Sequence, residues 1–228
     1  MKLLISATAL LMTGGLASAA LVTYSGDISD ARTIGSVDSL RQTDSATILV
    51  GGSVTVTSAS TTNATIGQLA AGSFTIDGGS LSVDVSASFL LGNGNNGNGI
   101  VTLIDGSFTA NPTGTFFIGR DNASGLLTIS GGTANFGVAP TFDNTGGNGT
   151  IDFTLNSAGT LTIAGADESY YQNLYDTTND LTYDGGNTAA FADVFVVNGS
   201  TLSLVPEPSS MALLLGGAGV LLLRRRRC

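Results

Sequence analysis

Carboxylates, hydroxyls and a few tyrosines are the only side chains in this chain with chemistry to offer. There are seventeen Asp and Glu, no histidine, one lysine at position 2 and one cysteine at position 228. Serines and threonines abound, but residues 20–208 hold no histidine or lysine base to activate a nucleophile. A Cys/His zinc site is excluded for the same reason. Paired carboxylates cleave glycosides, yet the only glutamates are Glu168 and Glu207. Asp77 and Asp105 stand just before glycine corners, where an aspartate caps its own backbone. The Gly/Asn run at 92–99 lacks the aspartates of a calcium-binding corner. Tyr170, Tyr171 and Tyr175 suit either stacking on sugar rings or packing a terminal segment onto a core. No catalytic set, cofactor or metal site is expected.

The remaining chemistry is that of a processing site. Pro206-Glu207-Pro208 locks two φ angles and removes two amide donors. The residue before each proline is pushed toward an extended conformation, the form a protease grips. An uncharged run at 211–223 follows, then Arg224, Arg225, Arg226 and Arg227, then Cys228. A helix over 209–223 would cover roughly 22 Å at about 1.5 Å per residue. That is short against a hydrocarbon core of about 30 Å. The arginines stay cytoplasmic and extend the span by snorkelling.

At the other end Lys2 precedes an apolar run at 3–16, and Ala17-Ser18-Ala19 fits the small-x-small cleavage pattern. Residues 1–19 therefore read as a secretory signal peptide cleaved after Ala19. Both ends place the middle of the chain on the far side of the membrane. The tripeptide, short apolar helix and arginine cluster resemble, in order and position, the PEP-CTERM sorting signal of Gram-negative bacteria. That resemblance covers residues 205–228. It implies recognition by an exosortase-like processing enzyme and a link to extracellular polysaccharide, and implies nothing about the fold of the body. A plain single-pass membrane anchor is the alternative.

Residues 20–208 keep Arg32, Arg41 and Arg120 against all seventeen acids, a net charge of −14. Such a surface disfavours phosphate backbones, so nucleic acid is not an expected partner.

The elements that must carry these residues repeat. Gly51-Gly52-Ser53-Val54-Thr55-Val56 returns as Gly78-Gly79-Ser80-Leu81-Ser82-Val83, then at Gly106 and at Gly131-Gly132. The marker glycines at 52, 79, 106 and 132 are spaced 27, 27 and 26. A second marker, Ile66-Gly67, Leu91-Gly92 and Ile118-Gly119, recurs in phase, and a weaker copy of the first ends at Gly165. In Phe74-Thr75-Ile76 and Leu127-Thr128-Ile129 the apolar residues fall at i and i+2, on one strand face. No helical period appears between 20 and 164. That excludes leucine-rich, ankyrin and helical-pair repeats, and the period is too short for a propeller blade.

The expected fold is all-β: a small right-handed parallel β-helix with coils of about 27 residues. A small antiparallel sandwich is the alternative. Residues 20–46 are expected as an N-terminal cap or first strands and 47–165 as the repeat body. The polar stretches 92–99 and 141–149 are expected as corners, the latter lengthening the interval to the last copy. Residues 166–204 should cap the stack, with a short helix near 168–175 and two strands around Asn198-Gly199. The function these features imply is a non-enzymatic, exported surface or matrix protein. A carbohydrate-binding or carbohydrate-active module and a filament subunit are the alternatives.

Overall fold

Alternation with a period of two runs through most strands of the body and decides its architecture. In Ser124–Ile129, for example, Gly125, Leu127 and Ile129 are buried while Ser124, Leu126 and Thr128 are not. One face of such a strand must therefore be covered, and in Ala64–Gln68 and Phe89–Asn93 four consecutive residues are buried, so both faces are covered. The computed structural model describes residues 21–35, 38–57 and 63–206 and solves this with a solenoid of about six turns. The signal peptide and the helix expected over 209–223 lie outside the described residues.

Three columns of parallel strands stack along the axis. The first holds Gly26–Ile28, Ser45–Leu49, residues 71–77, residues 98–105, Ser124–Ile129, Asn148–Phe153 and Leu181–Tyr183. The second holds Ala31–Ile34, Ser53–Val56, residues 80–83, residues 107–110, Thr133–Phe136 and Thr160–Ile163. The third holds Leu21–Val22, Ser39–Gln42, Ala64–Gln68, Phe89–Asn93, Phe116–Arg120 and Thr141–Asn144. Two strands, Ala71–Val83 and Asn98–Ala110, run through the first and second columns without a break. Their register shifts at Asp77 and Asp105, where the chain turns the corner. Parallel pairing throughout the coils excludes the antiparallel sandwich.

The inward rows are apolar. Val54, Leu81, Phe108, Ala134 and Leu161 follow one another in the second column. Four phenylalanines fill the space between the second and third columns. Phe89 stacks on Phe116 with ring centroids 4.9 Å apart, and Phe136 meets Phe108 and Phe116 edge-on at 5.6 and 4.9 Å. Aromatic pairs in these geometries add about 0.5–1.5 kcal/mol beyond their burial.

The second sequence marker is explained by a close approach between columns. A Cβ on Gly125 would lie 2.2 Å from the carbonyl oxygen of Leu91. A Cβ on Gly92, whose φ is +80°, would lie 2.0 Å from that of Ser124. Only glycine fits where the third column meets the first column one coil further on, and Gly92 also needs the left-handed backbone that glycine adopts freely.

Of the two readings of the N-terminal region, cap or first strands, the structure has strands. Residues 21–42 already contribute strands to all three columns. The inward row of the second column begins there on Arg32, in register with Val54 and paired with Asp30 at 2.9 Å. A charge in an inward row blunts an open sheet edge. In the third column Gln42 takes the inward position of Ile66 and is fully buried. Its Oε1 accepts from the Tyr24 amide at 2.9 Å, and its Nε2 donates to the carbonyls of Tyr24 and Asp44 at 2.7 and 2.9 Å.

The stretch 141–149 is not one corner. Thr141–Asn144 is the last strand of the third column and Asn148 opens a strand of the first. The interval from Thr133 to its partner Thr160 stays at 27 residues, so the last copy is not displaced. Composition misleads here because Thr, Asp and Asn at outward positions cost little in a strand whose inward positions are filled.

At the C-terminal end Thr201–Leu204 pairs antiparallel with Thr160–Ile163, and Phe195–Asn198 completes a hairpin around Asn198-Gly199. The α-helix spans Glu168–Asn173, capped by the Asp167 carboxylate accepting from the Tyr170 amide, and continues as a π-helical turn, Leu174–Thr178.

Candidate binding face on the third column

Outward rows distinguish the columns. In the first column Thr47, Thr75, Thr102, Thr128, Asp152 and Thr182 stand in register. In the second, Thr33, Thr55, Ser82, Thr109, Asn135 and Thr162 do. These short side chains suit a pleated, half-exposed surface and present little that reaches outward.

The third column carries larger and more varied groups. The row alternate to the inward one runs Arg41, Thr65, Leu90, Phe117, Thr141, with Thr65 and Leu90 buried and Arg41 and Phe117 half-buried. Beside it, beyond the glycines of the second marker, runs Gln68, Asn93, Arg120, Asn144. Both rows follow from the local sequence. Ala64, Ile66, Phe89, Leu91, Phe116 and Ile118 point inward, so their alternates point outward.

A cavity of about 130 Å³ opens on this face, lined by Leu21, Leu40, Arg41, Asn63, Thr65, Gln68 and Asn93. Arg41 Nε donates to Gln68 Oε1 at 2.7 Å, which fixes its guanidinium at the rim with a neutral partner. The Arg120 guanidinium lies 4.9 Å from the Phe117 ring centroid, a cation–π distance. Its Nε is 3.3 Å from Asp121 Oδ2 but too poorly aligned to bond it. Among the described residues three buried polar atoms lack a hydrogen-bond partner: Asn93 Oδ1 and Arg120 Nε on this face, and Asn187 Oδ1 at the C-terminal end. A buried polar atom left unpaired costs about 1–3 kcal/mol. Two of the body's three cations thus share this face, and the third, Arg32, is paired with Asp30 elsewhere.

No protein family, curated protein or solved structure matches this chain.

The tyrosines expected as a stacking surface or a packing element are packing elements. Tyr171 and Tyr175 are buried. Tyr171 Oη donates to the Ser200 carbonyl at 2.7 Å and accepts from the Ile163 amide at 3.1 Å, tying helix, last coil and hairpin together. Tyr175 packs edge-on to Phe191 and Phe195, and Phe195 meets Phe153 at 5.4 Å. Burial pushes the Tyr170 and Tyr171 phenols up to about 12.

Asp77 and Asp105 are exposed, in register, and at the corner between the first and second columns. Asp105 Oδ1 accepts from the Gly106 amide at 2.7 Å, the turn role expected of it. Asp180 is the one buried carboxyl among the described residues. Burial holds it above the usual carboxylate range, and its neighbour Asp143 raises it further, while the Thr178 side chain lowers it. No three His, Cys, Asp or Glu among the described residues converge on a point that would hold a metal ion.

Of the sorting residues, Pro206 is described: it and Val205 are exposed, directly behind the closing hairpin. Glu207, Pro208, Arg224, Arg225, Arg226 and Arg227 lie outside the described residues, as do Ala17 and Ala19. No helix among the described residues is long and apolar enough to cross a membrane.

The polar row of the third column has a sequence signal beside the second marker: Ile66-Gly67-Gln68, Leu91-Gly92-Asn93 and Ile118-Gly119-Arg120 each end on a planar polar side chain.

Proposed function

We propose that this is an exported, non-enzymatic surface or matrix protein: a stiff solenoid body that presents an interaction face and is sorted through its C-terminal tail. The observation that carries the reading is the exit of the chain. Val205 and Pro206 emerge exposed immediately after the last hairpin strand, so an enzyme gripping Pro206-Glu207-Pro208 would meet it without unfolding the body. Residues 1–19 serve as the signal peptide and 209–223 as the transmembrane helix before processing, held by Arg224 to Arg227. The tail resembles a PEP-CTERM signal, and its partners are the membrane and an exosortase-like enzyme. The coil is taken as right-handed, the hand of nearly all parallel crossovers.

The test is fractionation of the native host followed by intact-mass measurement. Mature protein from the surface is expected to begin at Ala20 and to lack Arg224 to Cys228. Recovery of that terminus intact would favour a permanent anchor, and finding the body in the cytosol would end the proposal. A second reading, a carbohydrate-binding module, is favoured by the polar rows of the third column.

A further inference from the structure

We infer that Asn198 is a self-modification site, where the Gly199 amide nitrogen displaces the side-chain ammonia and leaves isoaspartate in the hairpin that closes the stack. Neither the processing of the tail nor the third-column face enters into it.

The chemistry is that of any Asn-Gly step. The glycine nitrogen gives up its proton to hydroxide and attacks the asparagine Cγ. A C–N bond forms, the Cγ–Nδ2 bond breaks, and ammonia leaves behind a five-membered succinimide. Water then opens the ring. Attack on the side-chain carbonyl gives aspartate, and attack on the main-chain carbonyl gives isoaspartate. The balance is asparagine plus water to either acid plus ammonia, with no other reactant. Glycine favours the step because no Cβ crowds its nitrogen.

The chain has five such steps, at 93–94, 96–97, 98–99, 148–149 and 198–199. Four are restrained by the fold. The Gly94 amide donates to the Arg120 carbonyl at 3.2 Å, and the Gly97 amide to the Gly94 carbonyl at 2.8 Å. The Gly149 amide donates to Asp143 Oδ1. Gly99 is buried in a strand paired on both sides. The fifth step escapes these restraints. Asn198 and Gly199 are both exposed, and nothing lies within 4 Å of a Cβ built on Gly199. Among the described residues the Gly199 amide has no hydrogen-bond partner. Turn geometry gives the reason. Gly199 and Ser200 form the two-residue loop between the paired Asn198 and Thr201, and Gly199 has φ +63°. That is the hairpin turn with glycine first, and its first loop amide points away from the ladder.

The position decides what the modification does. Isoaspartate adds one atom to the main chain beside this loop, and loop length fixes the register of a hairpin. The Ser200 carbonyl accepts from Tyr171 Oη at 2.7 Å and from the Ile163 amide at 3.2 Å. Thr201 Oγ1 and Thr162 Oγ1 share a hydrogen bond at 2.8 Å. A displaced turn weakens these contacts together, so old molecules carry a looser C-terminal end than new ones.

The experiment is incubation of the full-length protein at mildly alkaline pH, with and without urea, followed by chymotryptic peptide mapping with fragmentation. In urea all five steps are expected to lose ammonia at comparable rates. Folding should slow the four restrained steps by about tenfold or more, the factor that an opening costing one net hydrogen bond imposes. It should slow the step at Asn198 by less than about threefold, as at a site that needs no opening. Asn198→Gln, which must close a six-membered ring instead, should suppress the reaction at this position and leave the other four unchanged. In hydrogen exchange, the isoaspartate form should lose protection over Thr201–Leu204 while the central coils keep theirs. Protection of Asn198 by folding as strong as that of the other four would overturn the inference. So would an isoaspartate form whose hairpin exchanges as slowly as that of fresh protein.

Discussion

The threonine rows of the first and second columns and the mixed rows of the third are built on the same coil, by the same alternation, yet they answer to different demands. Thr47, Thr75, Thr102 and Thr128 repeat one solution because a half-exposed strand position rewards a β-branched residue and asks nothing else. Arg41, Thr65, Leu90 and Phe117 repeat nothing but their spacing. Arginines, amides and an aromatic ring are not needed to make a strand. Uniformity along a repeat marks scaffold, and departure from it marks the place where something other than folding is being specified.

That contrast makes predictions of graded size. The largest concerns the inward side of the third column. Phe116→Ala should cost about 3–5 kcal/mol, because Phe89 and Phe136 both lose their ring contact and a cavity remains. Thermal melting followed by circular dichroism reads it, at about 2–4 °C per kcal/mol for a body of this size. A loss below about 1 kcal/mol would mean that the third column is an appendage rather than one wall of the core.

Next is the seam. Gly125→Ala forces a Cβ against the Leu91 carbonyl and should cost about 1–3 kcal/mol in the same melt. Alanine at Gly185, where nothing lies within 4 Å, is opposed only by its positive φ and should cost less. Equal costs would remove the close approach as the reason for the marker glycines.

The C-terminal end comes third. Tyr171→Phe leaves the Ile163 amide and Ser200 carbonyl without their phenol partner, worth about 1–3 kcal/mol. The phenols of Tyr170 and Tyr171 are raised from 10.0 to about 12 by burial. A raised folded value contributes stability that is fully present below the unfolded value of 10.0. That stability is lost as pH rises from there through about 12. Hydrogen exchange at pH 10–12 should therefore show the helix and hairpin opening before the central coils. Loss of protection that begins in the central coils would contradict this.

The smallest effects separate the faces directly. Thr102→Val and Arg41→Gln should each change stability by no more than about 0.5 kcal/mol, as exposed positions do. A loss above about 1 kcal/mol in Arg41→Gln alone would show that its hydrogen bond to Gln68 helps hold the third column together.

Much of this was legible in the sequence, and for physical reasons. A 27-residue period with alternate apolar residues admits few architectures, so the parallel solenoid, the glycine corners and the Asn198-Gly199 hairpin follow from spacing and backbone preference. The net charge of −14 and the lack of a nucleophile's base were legible because composition alone carries them. Tertiary structure decided what composition leaves open. Residues 141–144 read as a polar loop but form a strand, since register against Phe116–Arg120 outweighs their propensity. Tyr171 and Tyr175 became core because the hairpin folds over them, a contact between positions about thirty residues apart. The outward rows of the third column are separated by 24 to 27 residues along the chain and become neighbours only when the coils stack in register. A sequence specifies each rung by local alternation. Which side chains meet across rungs is set by the register of the whole stack, and that is where the candidate site resides.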